Sequence, residues 1–139
     1  MTRLFSPLAL RGTTLANRIV VSPMCMYSAR EGCASEWHYA HLGSLAISGA
    51  GLLCLEATAV VPEGRISPDD LGIWDDAFVP GLRRCVDFIK QHNAVPGIQI
   101  GHSGRKARRY RPWEGGAPLQ PGPGIPSFDE WELVSASAE

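Results

Sequence analysis

The sequence predicts an α/β fold in which parallel strands alternate with helices, as in one part of an eightfold barrel. Three observations lead there. Apolar stretches of strand length alternate with stretches of helical periodicity. Each strand ends, on its C-terminal side, in small or polar residues: "SPMCMY", "EATA" and "QIGHSGRK". No glycine follows the first strand, where a doubly wound nucleotide domain would carry its phosphate turn. Strand-end chemistry belongs instead to a TIM (β/α)8 barrel.

The elements follow in order. Residues 3–19 form a short hairpin: "LFSPLAL" is apolar, "RGTT" turns and "LANRI" returns. The first long strand is "RIVVSPM", residues 18–24, whose continuous apolar run suits a strand covered on both faces. A helix is expected from Ser35 to Ser48, with Ser35 as N-cap, Glu36 in the first turn and Ala40, Leu45 and Ile47 as apolar positions. Glycines 49 and 51 stop it. The second strand is "LLCLEATAV", residues 52–60, and a polar loop follows. The next helix runs from Ala77 to His92, with Pro80 near its start, Asp75 and Asp76 ahead of it, Lys90 in its last turn, and Phe78, Leu82, Val86 and Ile89 at helical spacing. The third strand is centred on residues 97–101. Beyond it "RKARRYR" has five basic residues in seven, and "PWEGGAPLQPGPGIP" nine prolines and glycines in fifteen. Residues 107–130 are therefore expected to form a long Pro/Gly-rich loop.

A complete barrel takes about 250 residues. These 139 residues supply about three βα units plus the hairpin. Residues 1–139 are thus expected to be the N-terminal segment of a single barrel domain, with unpaired sheet edges until the remainder joins it. Composition narrows the function. Hydrophobic residues make up 45% and net charge is −1, which speaks against disorder and against a nucleic-acid or anionic-membrane partner. The basic run lacks the global positive charge of a nucleic-acid binder and is read as a solvated loop. The apolar stretch from Leu42 to Val61 is broken by glycines and Glu56, so it is not a membrane span. Four widely spaced cysteines suggest reduced thiols and a cytoplasmic protein. His38 and His41 lie three apart but lack a third ligand, and the aspartates around "GIWDD" do not match a calcium loop, so no metal is expected.

Adjacent parallel strands would gather Ser22, Pro23, Met24 and Cys25 with Ala57, Thr58, Gln99 and His102. Small residues there let a flat group approach the backbone, and the Gln99 amide offers both donor and acceptor. That suits the edge of a heteroaromatic ring, with Cys25 supplying polarizable sulfur beside it. Taken singly, Cys25 is better explained as a small buried hydrophobe than as a reactive thiol, Met24 and Met26 as gap fillers and Tyr27 as an anchored loop tyrosine.

"NRIVVSPMCMYS", "EATAVVPEGRIS", "DLGIWDD" and "GIQIGHSGRK" together resemble the Old Yellow Enzyme family, in its thermophilic-like, xenobiotic-reductase-like branch. The resemblance runs from about Leu4 to Lys106. It implies an FMN-dependent barrel that takes a hydride from NADPH and reduces the C=C bond of α,β-unsaturated carbonyl compounds. It further implies that Ser22, Pro23, Met24 and Cys25 line the flavin, that Cys25 tunes it, and that Ala57 and Gln99 meet its pyrimidine side. Tyr27 would reach the carbonyl oxygen of an enone or enal. The family's substrate-binding histidine pair, proton-donating tyrosine, flavin-contacting arginine and phosphate site come later in the chain than these residues. The expected partners are therefore the remainder of the barrel, in the same protein or a companion chain, and further copies in a homo-oligomer. Two other readings are a 2,4-dienoyl-CoA reductase-type flavin barrel and a non-catalytic barrel fragment that needs a partner chain.

Overall fold

The structure is a computed structural model that describes residues 3–122, 125 and 131–137. A 3-10 turn, Arg3–Phe5, leads into an antiparallel hairpin of β1 (Leu8–Leu10) and β2 (Thr13–Leu15), with Leu8 opposite Leu15. Arg11 takes the positive φ in the turn, at 51°. Asn17 then ties the hairpin to the main body. Its amide donates to Gly49 O at 2.7 Å, and its Oδ1 accepts from Ile19 N–H at 3.0 Å. A Cβ at Gly51 would meet Asn17 O at 2.4 Å, so this crossing needs glycine.

The main sheet is parallel and centred on β4 (Leu52–Ala59). β6 (Val95–Gly101) pairs along the full length of one edge. The other edge is shared by β3 (Val20–Val21), paired at Leu52 and Leu53, and β5 (Leu71–Gly72), paired at Thr58 and Ala59. α1 (Glu36–Ala46) connects β3 to β4, and α2 (Val79–Gln91) connects β5 to β6. This is the expected barrel segment, and the sheet is open among the described residues.

Several details differ from expectation. The first long strand pairs over Val20–Val21 only. Pro23 has no N–H for a ladder, and the chain departs to bond elsewhere: Met26 N–H donates to Glu56 Oε1 at 3.2 Å and Ala29 N–H to Asp69 O at 2.8 Å. β5 lies inside what reads as a polar loop. The buried face of α1 runs through His38, Leu42 and Ala46, and Ile47 is 65% exposed. A histidine on the core-facing stripe disguised the helix's orientation. α2 begins after a 3-10 turn at Asp76–Phe78, where Asp75 Oδ1 accepts from Ala77 N–H at 2.8 Å. Its buried stripe passes through Cys85 rather than Val86.

The core lies between the sheet and the two helices. Leu53, Leu55 and Leu71 meet Leu42 and Ala46 of α1 and Leu82, Cys85 and Ile89 of α2. A fully buried leucine contributes about 2 kcal/mol. Tyr39 and Phe88 join the helices edge to face, with ring centroids 5.4 Å apart. Residues 108–119 are better ordered than a structureless loop. Tyr110 N–H donates to Ala117 O and Leu119 N–H to Arg108 O, and Arg109 bridges Pro118. Residues 123–124 and 126–130 of the expected loop lie outside the described residues. Trp131 returns to the body: it is buried, its indole donates to Glu63 O at 2.7 Å, and the Arg65 guanidinium lies over both its ring and that of Trp74. No helix among the described residues is long and apolar enough to cross a membrane.

Candidate functional site

The site is organised by an irregularity in β4. Leu55 pairs with Ile98, but the next pair is Ala57 with Gln99, which leaves Glu56 as a bulge residue. Leu55 thereby stays in the helix-facing core, while Ala57 comes opposite Gln99 toward the strand ends. The bulged Glu56 is buried and anchors the loop after β3. Its Oε1 accepts Met26 N–H, and its Oε2 lies 3.5 Å from His38 Nε2. His38 Nδ1 accepts from Ser35 N–H at 3.0 Å, which places the neutral ring's proton on Nε2, toward Glu56. Ser35 N–H thus holds one end of this buried pair and Met26 N–H the other, while His38 Nε2 and Glu56 Oε2 face each other without a hydrogen bond.

That loop presents Cys25 and Tyr27. The Cys25 thiol is half-buried, and the Ala57 backbone hydrogen-bonds its sulfur. Burial pushes its pKa up to about 11, with the Asp70 and Glu56 carboxylates adding to the rise against that hydrogen bond. Tyr27 has φ 49°, a left-handed conformation that costs a non-glycine residue about 1–2 kcal/mol. Its phenol is also held above its ordinary pKa by burial, Cys25, Asp70 and Glu56. Both groups are therefore protonated at neutral pH.

Ala57 and Gln99 line one cavity of about 290 Å³, together with Asp70, His102 and Lys106. A side chain added at Gly101, on the same rim, would meet open space. Cys25 and Gln99 thus flank the same Ala57, one through its backbone and the other as its register partner. Ser22 and Met24 stand elsewhere. They border a small recess with His41, Leu42, Leu45 and Glu56, and Met24 is 49% exposed. Pro23 is half-buried. His102 Nδ1 accepts Gly104 N–H at 2.9 Å, which fixes the ring.

Two residues were not singled out for the site by sequence reasoning. Glu56 looked like one polar residue in a buried strand. Asp70 looked like one of several loop aspartates, yet it is 2% exposed. Its Oδ1 accepts from Ser67 Oγ and its Oδ2 from Ile66 N–H, both at 2.8 Å. Burial outweighs these hydrogen bonds and raises the carboxyl to about 6. The described residues hold no group of three or more histidine, cysteine or acidic side chains that could hold a metal.

Comparison with known proteins bears on this arrangement. The chain is 53% identical over 108 residues to an NADPH dehydrogenase of Geobacillus thermodenitrificans, covering 76% of this chain and 32% of that protein. It is 54% identical over 109 residues to an NADPH dehydrogenase of Listeria innocua, again covering 32% of the relative. The chain therefore spans about a third of the length of these relatives. Among solved structures, morphinone reductase superposes with a TM-score of 0.68 at 28% identity, over 76% of this chain and 28% of that one. An Old Yellow Enzyme homologue from Zymomonas mobilis gives a TM-score of 0.69 at 28% identity, over 76% and 30% of the two chains. These superpositions identify the parallel sheet and its helices as part of a TIM barrel. Residues 3–123 match the NADH:flavin oxidoreductase / NADH oxidase family, and the chain belongs to that family.

Proposed function

We propose that this chain supplies the N-terminal half-site of an FMN-dependent NADPH oxidoreductase that reduces the C=C bond of α,β-unsaturated carbonyl compounds. One observation carries the reading: the bulge at Glu56 brings Ala57 level with Gln99 while the Ala57 backbone bonds Cys25. The residues present fit a flavin. Ala57 is small and Gly101 has no Cβ, so a flat ring can lie against the strand ends. Gln99 and the Ala57 backbone would hold the ring's polar edge. When bound, FMN supplies the centre that accepts and passes on a hydride.

The chain's own residues have distinct tasks in this proposal. Cys25 stays a neutral thiol beside the ring, able to donate a weak hydrogen bond. Tyr27, kept protonated, donates to the substrate carbonyl oxygen and polarises the conjugated bond. Ser22 and Met24, which border a separate recess here, and Pro23 between them would meet the ring from the loop after β3 once the rest of the barrel is in place. The apolar side chains left open on the sheet, Val20, Ile98 and Ile100, support a requirement for the rest of the barrel, from the same protein or a companion chain. In this reading residues 1–139 form one segment of a single domain, in a cytoplasmic homo-oligomer. The four free cysteines suit that compartment.

Fluorescence titration of FMN against the protein assembled with the rest of its barrel tests the reading. Saturable quenching is expected, followed by bleaching of the flavin band on anaerobic addition of NADPH and its return on addition of 2-cyclohexen-1-one. Gln99→Ala is expected to weaken FMN binding about tenfold, as for one lost polar contact. Absence of FMN binding would refute the proposal.

A further inference from the structure

Above the strand ends, the loop after β6 carries an aromatic side chain that the core does not use. Trp113 is 64% exposed. It is nevertheless held in place. Its ring meets Tyr27 nearly perpendicularly, at 85°, with centroids 5.7 Å apart. The Arg111 guanidinium lies 5.4 Å from the indole centroid. The backbone around it is braced. Arg109 N–H donates to Ile66 O at 2.8 Å, Arg109 Nη1 to Gly116 O at 3.1 Å, and Arg111 N–H to Glu114 Oε2 at 3.2 Å.

The same brace reaches the Tyr27 loop through one residue. Asp69 Oδ2 lies 3.6 Å from Arg111 Nε, and Asp69 O accepts Ala29 N–H at 2.8 Å. Trp113 and Tyr27 are therefore set against each other by a common anchor, and most of the indole surface stays outside the core. A large aromatic surface kept rigid and outside the core is the form a recognition wall takes: it offers contact area with little conformational entropy left to lose.

We infer that Trp113 is a specificity-determining residue, whose exposed indole receives a flat aryl substituent on the unsaturated carbonyl compound that Tyr27 binds. This rests on the carbonyl-binding role proposed for Tyr27. With 64% of its surface exposed, the indole keeps apolar area beside Tyr27 for such a group, and an aromatic pair of this kind is worth up to about tenfold in affinity. Compact enones lack the group that would reach it.

The test compares trans-cinnamaldehyde with 2-cyclohexen-1-one, using the FMN-loaded protein assembled with the rest of its barrel. In Trp113→Ala the ratio of kcat/KM for the aryl enal over the compact enone is expected to fall about tenfold, chiefly through the KM of the aryl enal. Trp113→Phe is expected to restore most of that ratio. A ratio within twofold of the parent's in Trp113→Ala would overturn the inference and leave the proposed function standing. An unchanged ratio with altered subunit association would assign the indole to contact between copies instead, and also overturns it. A parent protein that binds FMN but reduces neither compound would overturn the role of Tyr27, and this inference with it.

Discussion

Alkylation of Cys25 by iodoacetamide at pH 7 is expected to run about a hundredfold slower than that of an unstructured cysteine peptide. The reactive species is the thiolate. Burial, the Asp70 carboxylate and the Glu56 carboxylate raise the thiol from its ordinary 9.0 to about 11, against the hydrogen bond from Ala57. That change leaves about a hundredth of the thiolate that a free thiol would have at the same pH. Peptide-resolved mass spectrometry of timed digests gives the rate for this cysteine alone. The pH profile separates electrostatics from simple shielding. A raised pKa predicts a rate still climbing at about pH 10, whereas shielding alone predicts a slow rate that levels off near the ordinary thiol value. Asp70→Asn removes one of the two negative neighbours and is expected to speed the reaction severalfold. A Cys25 profile that levels off near 9, or one that Asp70→Asn leaves unchanged, would refute the account of the site's electrostatics.

Three further outcomes are expected. Asp70 has its carboxyl raised from 3.8 to about 6, so the folded state favours its neutral form. Its contribution is full below the unfolded value and is lost as pH rises through about 6, a difference of about 3 kcal/mol. Denaturant unfolding at pH 3 and pH 7 should therefore show Asp70→Asn gaining on the parent by about that amount at the higher pH. Gly72→Ala places a Cβ 2.1 Å from Trp74 Cζ3, and Gly32 packs against the same indole. Ring displacement should cost about 1–3 kcal/mol, read as a lowered Tm with loss of near-UV tryptophan ellipticity. Glu56→Ala strands the Met26 N–H and removes the carboxylate facing His38. A loss of about 1–3 kcal/mol is expected, together with faster amide exchange at Met26.

Apolar runs and helical spacing made the order of elements legible before any coordinates. The strand-end residues were equally visible, because cysteine, glutamine and tyrosine stand out where a strand should simply stop. Other features depend on partners distant in sequence. Glu56 bulges because Ala57 must meet Gln99, and no local pattern in "LEATA" announces a skipped pair. Asp70 turns inward and is held there by Ser67 and Ile66, whereas its neighbour Asp69 stays accessible enough to approach Arg111. The orientation of α1 was obscured by a buried histidine whose two ring nitrogens face Ser35 and Glu56. The hairpin-like bonds of residues 108–119 join positions seven to eleven apart across prolines and glycines, where composition suggests only irregularity.

β4 has neighbours along both edges, but β6 is paired on one side only among the described residues, and its Ile100 is 61% exposed. The described residues already enclose a helix–sheet interior, so this unit can condense while the β6 edge is still bare. It also carries a raw parallel border that invites misassembly with other nascent molecules. A strand or a chaperone that shields that border then governs how much of the product escapes aggregation.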